Sequence, residues 1–403
     1  MHSLCRQTLL VLLLLCLVFP KMAVCAEINI RIAAPDAVLD SMRQDVTYKT
    51  SLGSEWQLAI GYSQRFAKHR TYSGLNQAHI SRSWDLPGPS ATLTLLAGKA
   101  VNNWSLWGGD SVVLSDFAPG INQIQYIYRN GPVTLEKVIG QLSGEDRYLL
   151  AHRLTLQAGY LTGSLGETVV CNGQFAKNLV SFMPWPYYWT QWIGLDAGFT
   201  RNNDVNAFAF VQGELATPSG ISLGGEVMVD DMPHWFSQIG AQLFQVAILL
   251  HAQAPLGEGQ LAMQYARVNN FTYSFQVDAG DYQHHNYILG YPLGPDVDEL
   301  RLHFSFARSY LGINGTGLVI RRQGEGRMGD IWERAGYDES VKKAFLAGVV
   351  EHSQLIYATA EYSLWQGAHM QVRFGFGPVQ NAKNKPGYNK VAPDGLLFIN
   401  WQF

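Results

Sequence analysis

From His369 to Phe376 the side chains alternate in character. Met370, Val372, Phe374 and Phe376 take one face, while His369, Gln371, Arg373 and Gly375 take the other. A period of two belongs to a β-strand, whose successive side chains point to opposite sides of the sheet. The same alternation sets Leu302, Phe304 and Phe306 against Arg301, His303 and Ser305, and Leu261, Met263 and Tyr265 against Gln260, Ala262 and Gln264. Between Leu355 and Trp365, Ile356, Ala358, Ala360, Tyr362 and Leu364 oppose Tyr357, Thr359, Glu361 and Ser363. These runs exceed an average soluble strand and match the roughly 9 to 11 residues a tilted strand uses to cross a bilayer. After the N-terminal leader the longest apolar run is Val246–Leu250, far short of a membrane-spanning helix. The expected fold is therefore all-β, a transmembrane antiparallel β-barrel.

The two ends fit that expectation. Arg6, the apolar run Leu9–Leu15 and the small-residue ending Val24-Cys25-Ala26 form a secretory signal peptide, residues 1–26, cleaved after Ala26. At the other end, Leu397, Ile399, Trp401 and Phe403 line one face of a last strand after the turn pair Asp394-Gly395. A terminal aromatic on that face suits a strand that pairs with the first and leaves no edge in lipid. About fifteen strands are legible from Trp56 onward, and barrels of this kind favour even numbers, so 16–18 strands are expected. Residues 55–403 form the barrel in this reading. Residues 27–54 precede it as a short segment with at most one helix, since Val38, Leu39 and Met42 fall at helical spacing within 35–46.

Composition sharpens the class. Only 15% of the residues are charged, yet the chain holds 40 Gly, 11 Trp, 19 Tyr and 19 Phe. A soluble enzyme carries about 25% charged residues, and glycine at this level disfavours helices. The net charge of -3 gives no basic excess for a phosphate backbone, so nucleic acid is not an expected partner. Loss of Cys5, Cys16 and Cys25 with the signal leaves Cys171 alone, which excludes an intramolecular disulfide.

Three irregular stretches interrupt the strands: Asn102–Asp116, Phe182–Trp192 and Asp281–Asp296. Each mixes Trp or Tyr with Asn, Asp, His or Gln, a combination that suits a sugar ring with its apolar face and rim of hydroxyls. Trp185, Tyr187, Tyr188, Trp189 and Trp192 fit an interfacial aromatic girdle better. The candidate polysaccharide contacts are Trp104, Trp107, Asp110, His284, His285 and Tyr291. Arg321 and Arg322, which open a charged stretch running to Lys343, are candidates for an acidic polymer. Neighbours on a strand diverge, so His284-His285 is a poor chelate, and Glu226 with Asp230-Asp231 lacks the oxygens of a calcium loop. No metal and no cofactor is expected. Ser353 beside His352 cannot converge on one substrate, and no catalytic motif is present, so the chain reads as a non-enzyme.

The stretch from Trp104 to Asp116 following Thr94–Val101, the strand end Gly224–Asp231 and the loop Tyr282–Asp296 with its Tyr-Pro-Leu-Gly segment resemble, in order and spacing, the Wzi family of capsule-assembly outer-membrane proteins. The resemblance implies an 18-stranded monomeric barrel of the cell outer membrane, surrounded by outer-membrane lipid. Its outward surface would act as a non-catalytic lectin for capsular polysaccharide or a related exopolysaccharide. The family also carries a helical bundle ahead of the barrel, for which residues 27–54 leave no room. The alternative from the residues themselves is a porin, passive or sugar-selective, with His303, Glu361, Gln371 and Arg373 lining its lumen.

Overall fold

The computed structural model describes residues 26–33, 41–52, 55–67, 70–88, 90–173, 206–231, 245–275, 280–310, 312–330, 345–365 and 368–402. Its strands are β1 (Ala26–Ala33), β2 (Ser41–Leu52), β3 (Trp56–Ala67), β4 (Arg70–Asp85), β5 (Ala91–Ala100), β6 (Ile121–Asn130), β7 (Val133–Gln141), β8 (Arg147–Ala158), β9 (Leu161–Asn172) and β10 (Asn206–Ala216). There follow β11 (Ser222–Asp231), β12 (Gln245–Leu256), β13 (Gly259–Val268), β14 (Gln283–His284), β15 (Tyr287–Ile288), β16 (Val297–Tyr310), β17 (Ile313–Gln323), β18 (Glu351–Trp365), β19 (Ala368–Gln380) and β20 (Lys390–Gln402). All but the two-residue β14 and β15 belong to one 18-stranded sheet. Each strand pairs antiparallel with the next around it, β13 joining β16 through Val268↔Val297. β20 pairs with β1 through Ile399↔Ile30, and β1 with β2 through Glu27↔Thr47, so every strand has a neighbour on each side.

The strand total agrees with the expected range, but the N-terminal segment differs. Residues 41–52 form β2 rather than part of a helix, paired with β3 from Ser41↔Ala67 to Leu52↔Trp56. The apolar spacing of Val38, Leu39 and Met42 is outweighed by the β-branched and alternating run that follows, Val46-Thr47-Tyr48-Lys49-Thr50. The sheet thus begins with β1 and β2, upstream of the expected boundary at residue 55. All but Ala26 of the expected signal peptide, residues 1–26, the aromatic run Phe182–Trp192 and the terminal Phe403 lie outside the described residues.

Connections alternate in length. Turns such as 131–132, 159–160 and 257–258 gather at one end, opened by Gly131, Gly159 and Gly257 with φ of 54°, 60° and 61°. Only glycine enters this left-handed region without strain. At the other end stand the long connections, including 101–120, 269–296 and 324–350. In barrels of the outer membrane the long loops face the exterior.

The two faces of each strand separate as the alternation predicts. Ile356, Phe374 and Phe376 are 64%, 55% and 69% exposed on the outer wall, where hydrocarbon replaces water. Packing that a soluble protein keeps between layers is here inside the barrel. Phe208, Phe210, Met228, Leu249 and Val268 on inward faces meet Trp104, Val112, Val113 and Leu114 of the 101–120 connection and Tyr273, Tyr282, Tyr287 and Tyr291 of the 269–296 connection.

Candidate functional site

The two connections do not stand above the barrel; they cross its lumen. Arg65 on β3 donates from Nη1 to the carbonyls of Asp116, at 3.0 Å, and Phe117. Glu226 on β11 accepts from Ser111 Oγ at 2.9 Å and from the Val112 N–H at 2.8 Å. β3 and β11 stand eight places apart in the 18-strand order, so one loop touches nearly opposite walls. The 269–296 connection spans likewise, from Arg65, whose carbonyl accepts the Tyr287 hydroxyl at 3.0 Å, to Asp230 on β11, which accepts the Tyr273 N–H at 2.7 Å. The loops bind each other through Ser115 N–H to Leu289 O at 2.7 Å, and through Tyr273 and Tyr282 hydroxyls to the carbonyls of Val112 and Val113.

Charge balance fixes this filling. Asp110 accepts from Arg301 Nη1 at 2.6 Å, and Arg301 Nε in turn lies against Glu299. Glu299, fully buried, also takes Arg321 Nη2 at 2.7 Å and the Tyr291 hydroxyl at 2.8 Å. Acid and base therefore alternate along a chain of four, with Glu299 and Arg321 shut away from water and Asp110 and Arg301 partly exposed at its other end. A second network centres on Glu136 of β7, which accepts Trp104 Nε1 at 2.9 Å, Gln125 Nε2 at 2.6 Å and Arg153 Nε at 2.8 Å. Arg153 lies 5.0 Å from the Trp104 ring centre, a cation–π contact on top of the hydrogen bond to the Trp104 carbonyl.

His284 and His285 do not form a metal chelate. His284 Nδ1 accepts the Ser143 N–H at 2.8 Å, which leaves Nε2 to donate to Gly120 O at 3.2 Å. The first of these bonds needs the neutral ring, since a protonated Nδ1 cannot accept. Burial, with His285 and nearby cations adding to it, pushes its pKa down to about 3. His285 and Asn286 have φ of 50° and 63° and form the exposed tip between β14 and β15. Burial also raises the hydroxyls of Tyr273 and Tyr291 well above the usual tyrosine value. Asp296, raised by burial and lowered by the N–H groups of Gly326 and Ala347, ties the 324–350 connection to the same assembly.

These positions change the reading of the candidate residues. Trp104, Tyr291, His284 and Arg321 are 1%, 0%, 3% and 4% exposed and spend their polar groups on the protein itself. Trp107 stacks on His251 of β12 at 5.4 Å and 5°, and rests over Gly224, where a methyl would stand 2.8 Å from the ring. Gly224 is the third residue of β11 from the short-turn end, which places Trp107 deep in the lumen. Arg322 is half exposed but paired with Asp298 at 3.0 Å, and Asp110 is held by Arg301 and Gln264. Of the eight, His285 sits at an exposed turn, its ring against Tyr72 at 5.1 Å and His284 at 4.3 Å. Glu136, Arg153, Glu299 and Arg65 were missed because, in one sequence, a charged inward residue reads simply as lumen polarity.

The filling is not uniform. Beside β2 to β6 a cavity of about 520 Å³ remains, lined by Lys49, Gln57, Gln77, His79, Ser81 and Gln125 among others.

No family model matches the chain, and no curated protein matches it by sequence. Solved structures do match in fold. One is Wzi, an outer-membrane protein involved in group 1 capsule assembly in Escherichia coli and a carbohydrate-binding β-barrel. It is 11% identical at a TM-score of 0.60, with 98% of this chain and 88% of that one covered. Another is OccD3 (OpdP) of Pseudomonas aeruginosa, 12% identical at a TM-score of 0.50 over 94% of this chain and 91% of that one. The protein has the fold of outer-membrane β-barrels.

Proposed function

We propose that the protein is a non-catalytic outer-membrane barrel whose long-loop end binds capsular or related surface polysaccharide and keeps it at the cell. The observation that carries the reading is the occluded lumen: loops 101–120 and 269–296 cross it and are fastened to its wall by hydrogen bonds to Arg65, Glu226 and Asp230 and by the Asp110–Arg301 pair, an arrangement unsuited to passive diffusion. A barrel that spends its interior on packing has its outward surface left for function. The likeness in fold to a carbohydrate-binding barrel supports the same reading. Deleting the gene and measuring cell-bound against shed polysaccharide tests it: a shift toward shed polymer is expected, and an unchanged ratio refutes it. The second reading, a narrow channel, draws on the cavity beside β2 to β6.

A further inference from the structure

The connection between β19 and β20 belongs to none of the networks above. It reads Asn381-Ala382-Lys383-Asn384-Lys385-Pro386-Gly387-Tyr388-Asn389 and leads into Lys390, with three lysines and no acid. Ala382 is fully buried against Val319, Leu355, Val379 and Ala392. Those four residues are buried on β17 to β20, whereas Ile356, Phe376 and Val391 on the alternate positions are 64%, 69% and 70% exposed on the outer wall. The loop therefore bends inward over the lumen rather than outward over the lipid rim. Asn384 fixes it there, donating from Nδ2 to the carbonyls of Gln323 at 3.0 Å and Val349 at 2.7 Å. Asn381 donates to Val350 O at 3.1 Å.

With its small residue inward, the loop turns its large ones toward the medium. Lys383, Lys385, Tyr388 and Asn389 are exposed, Tyr388 by 47%. Among the described residues no carboxylate lies within ion-pair distance of the Lys383, Lys385 or Lys390 ammonium groups. Glu351 is the acid at the loop, and it accepts the backbone N–H of Lys383. The contrast with Arg321 and Arg322 is direct, since both arginines are already neutralised by Glu299 and Asp298.

We infer that the β19–β20 loop is the part of the outward surface that recognises a carboxylated polysaccharide, with its lysines meeting uronate groups and Tyr388 stacking on a sugar ring. The inference rests on the polysaccharide-binding reading and adds its polymer class and its contact residues. The inward bend argues for a polymer arriving from the medium over a lipid phosphate at the rim.

The test uses the full-length barrel, folded as judged by its heat-dependent gel mobility, and its Lys383→Gln/Lys385→Gln/Lys390→Gln and Tyr388→Ala variants. Polygalacturonate, neutral dextran of equal length, and vesicles with and without lipopolysaccharide serve as probes. Expected are retention of polygalacturonate over dextran, weakening with salt, at least about tenfold weaker binding by the triple variant and a smaller loss for Tyr388→Ala. Equal binding of polygalacturonate by the wild type and the triple variant overturns the inference and leaves polysaccharide binding standing. So does a lysine effect confined to lipopolysaccharide vesicles. Failure of the wild type to hold the producing cell's own surface polysaccharide removes the broader reading as well.

Discussion

On the β6 to β17 side of the lumen, Glu136, Arg153, Glu226, Glu299 and Arg321 point inward and each finds a partner in a crossing loop or an adjoining strand. On the β2 to β5 side, Lys49, Gln57, Gln77, His79 and Ser81 point inward as well and line about 520 Å³ of open space. Both sectors come from the same alternation of apolar and polar positions. What separates them is ionic content: the filled side places carboxylates opposite arginines, while the lining of the open side holds amides, hydroxyls, one lysine, one histidine and the apolar Leu58, Ala59, Leu96, Ala100 and Val101. Buried charges demand compensation and so hold the loops, and Arg65 and Asn76 do the same at the edge of the open side by binding the carbonyl of Asp116 and the N–H of Gly120, whereas the polar groups that line the cavity can be met by water.

The sharpest way to break this contrast is Glu299→Ala. It removes the buried carboxylate that Arg301, Arg321 and Tyr291 share, leaving Arg301 to Asp110, and is expected to cost about 3–5 kcal/mol, read from denaturant unfolding of the reconstituted barrel. A cost under about 1 kcal/mol would mean that the ion pairs do not hold the filling. Glu226→Ala is next, since the Val112 N–H and Ser111 hydroxyl lose a buried acceptor, at about 1–3 kcal/mol by the same measurement. Acidification comes third. The ring of His284 titrates near 3 when folded against 6.5 when free, so between those values the unfolded chain binds more protons and stability falls as pH drops. The slope approaches about 1.4 kcal/mol per pH unit below 6.5, and it should flatten in His284→Gln. The smallest effect belongs to the open sector: Gln77→Ala, lining the cavity, should stay within about 0.5 kcal/mol of the wild type.

Much of the wall was legible in the sequence because a lipid-facing strand leaves a strict record, as in Met370-Val372-Phe374-Phe376, where one face must be apolar and the other need not be. β1 and β2 were less visible. Helix-like spacing at Val38, Leu39 and Met42 overlaps the start of β2, and the pairing that decides the matter, Glu27↔Thr47 and Ile399↔Ile30, is made with partners distant in the chain. The irregular stretches were found but their direction was not. Trp104 beside Asn and Asp has the composition of a sugar platform and of a polar plug alike. Only the position of Glu136, 32 residues later, decides that its indole N–H is already satisfied. The β19–β20 loop escaped notice because three spaced lysines are ordinary in a sequence; their meaning comes from being unpaired on a loop that caps the lumen.

Steady ionic conductance of the purified barrel in a planar bilayer tests the central claim, that two loops close the lumen, most directly. Wild-type protein should conduct poorly, and removal of both crossing segments, residues 104–116 and 272–293, should open a large, porin-like conductance that joins the cavity beside β2 to β6 to the exterior. Wild-type conductance equal to that of the deletion variant would contradict the account.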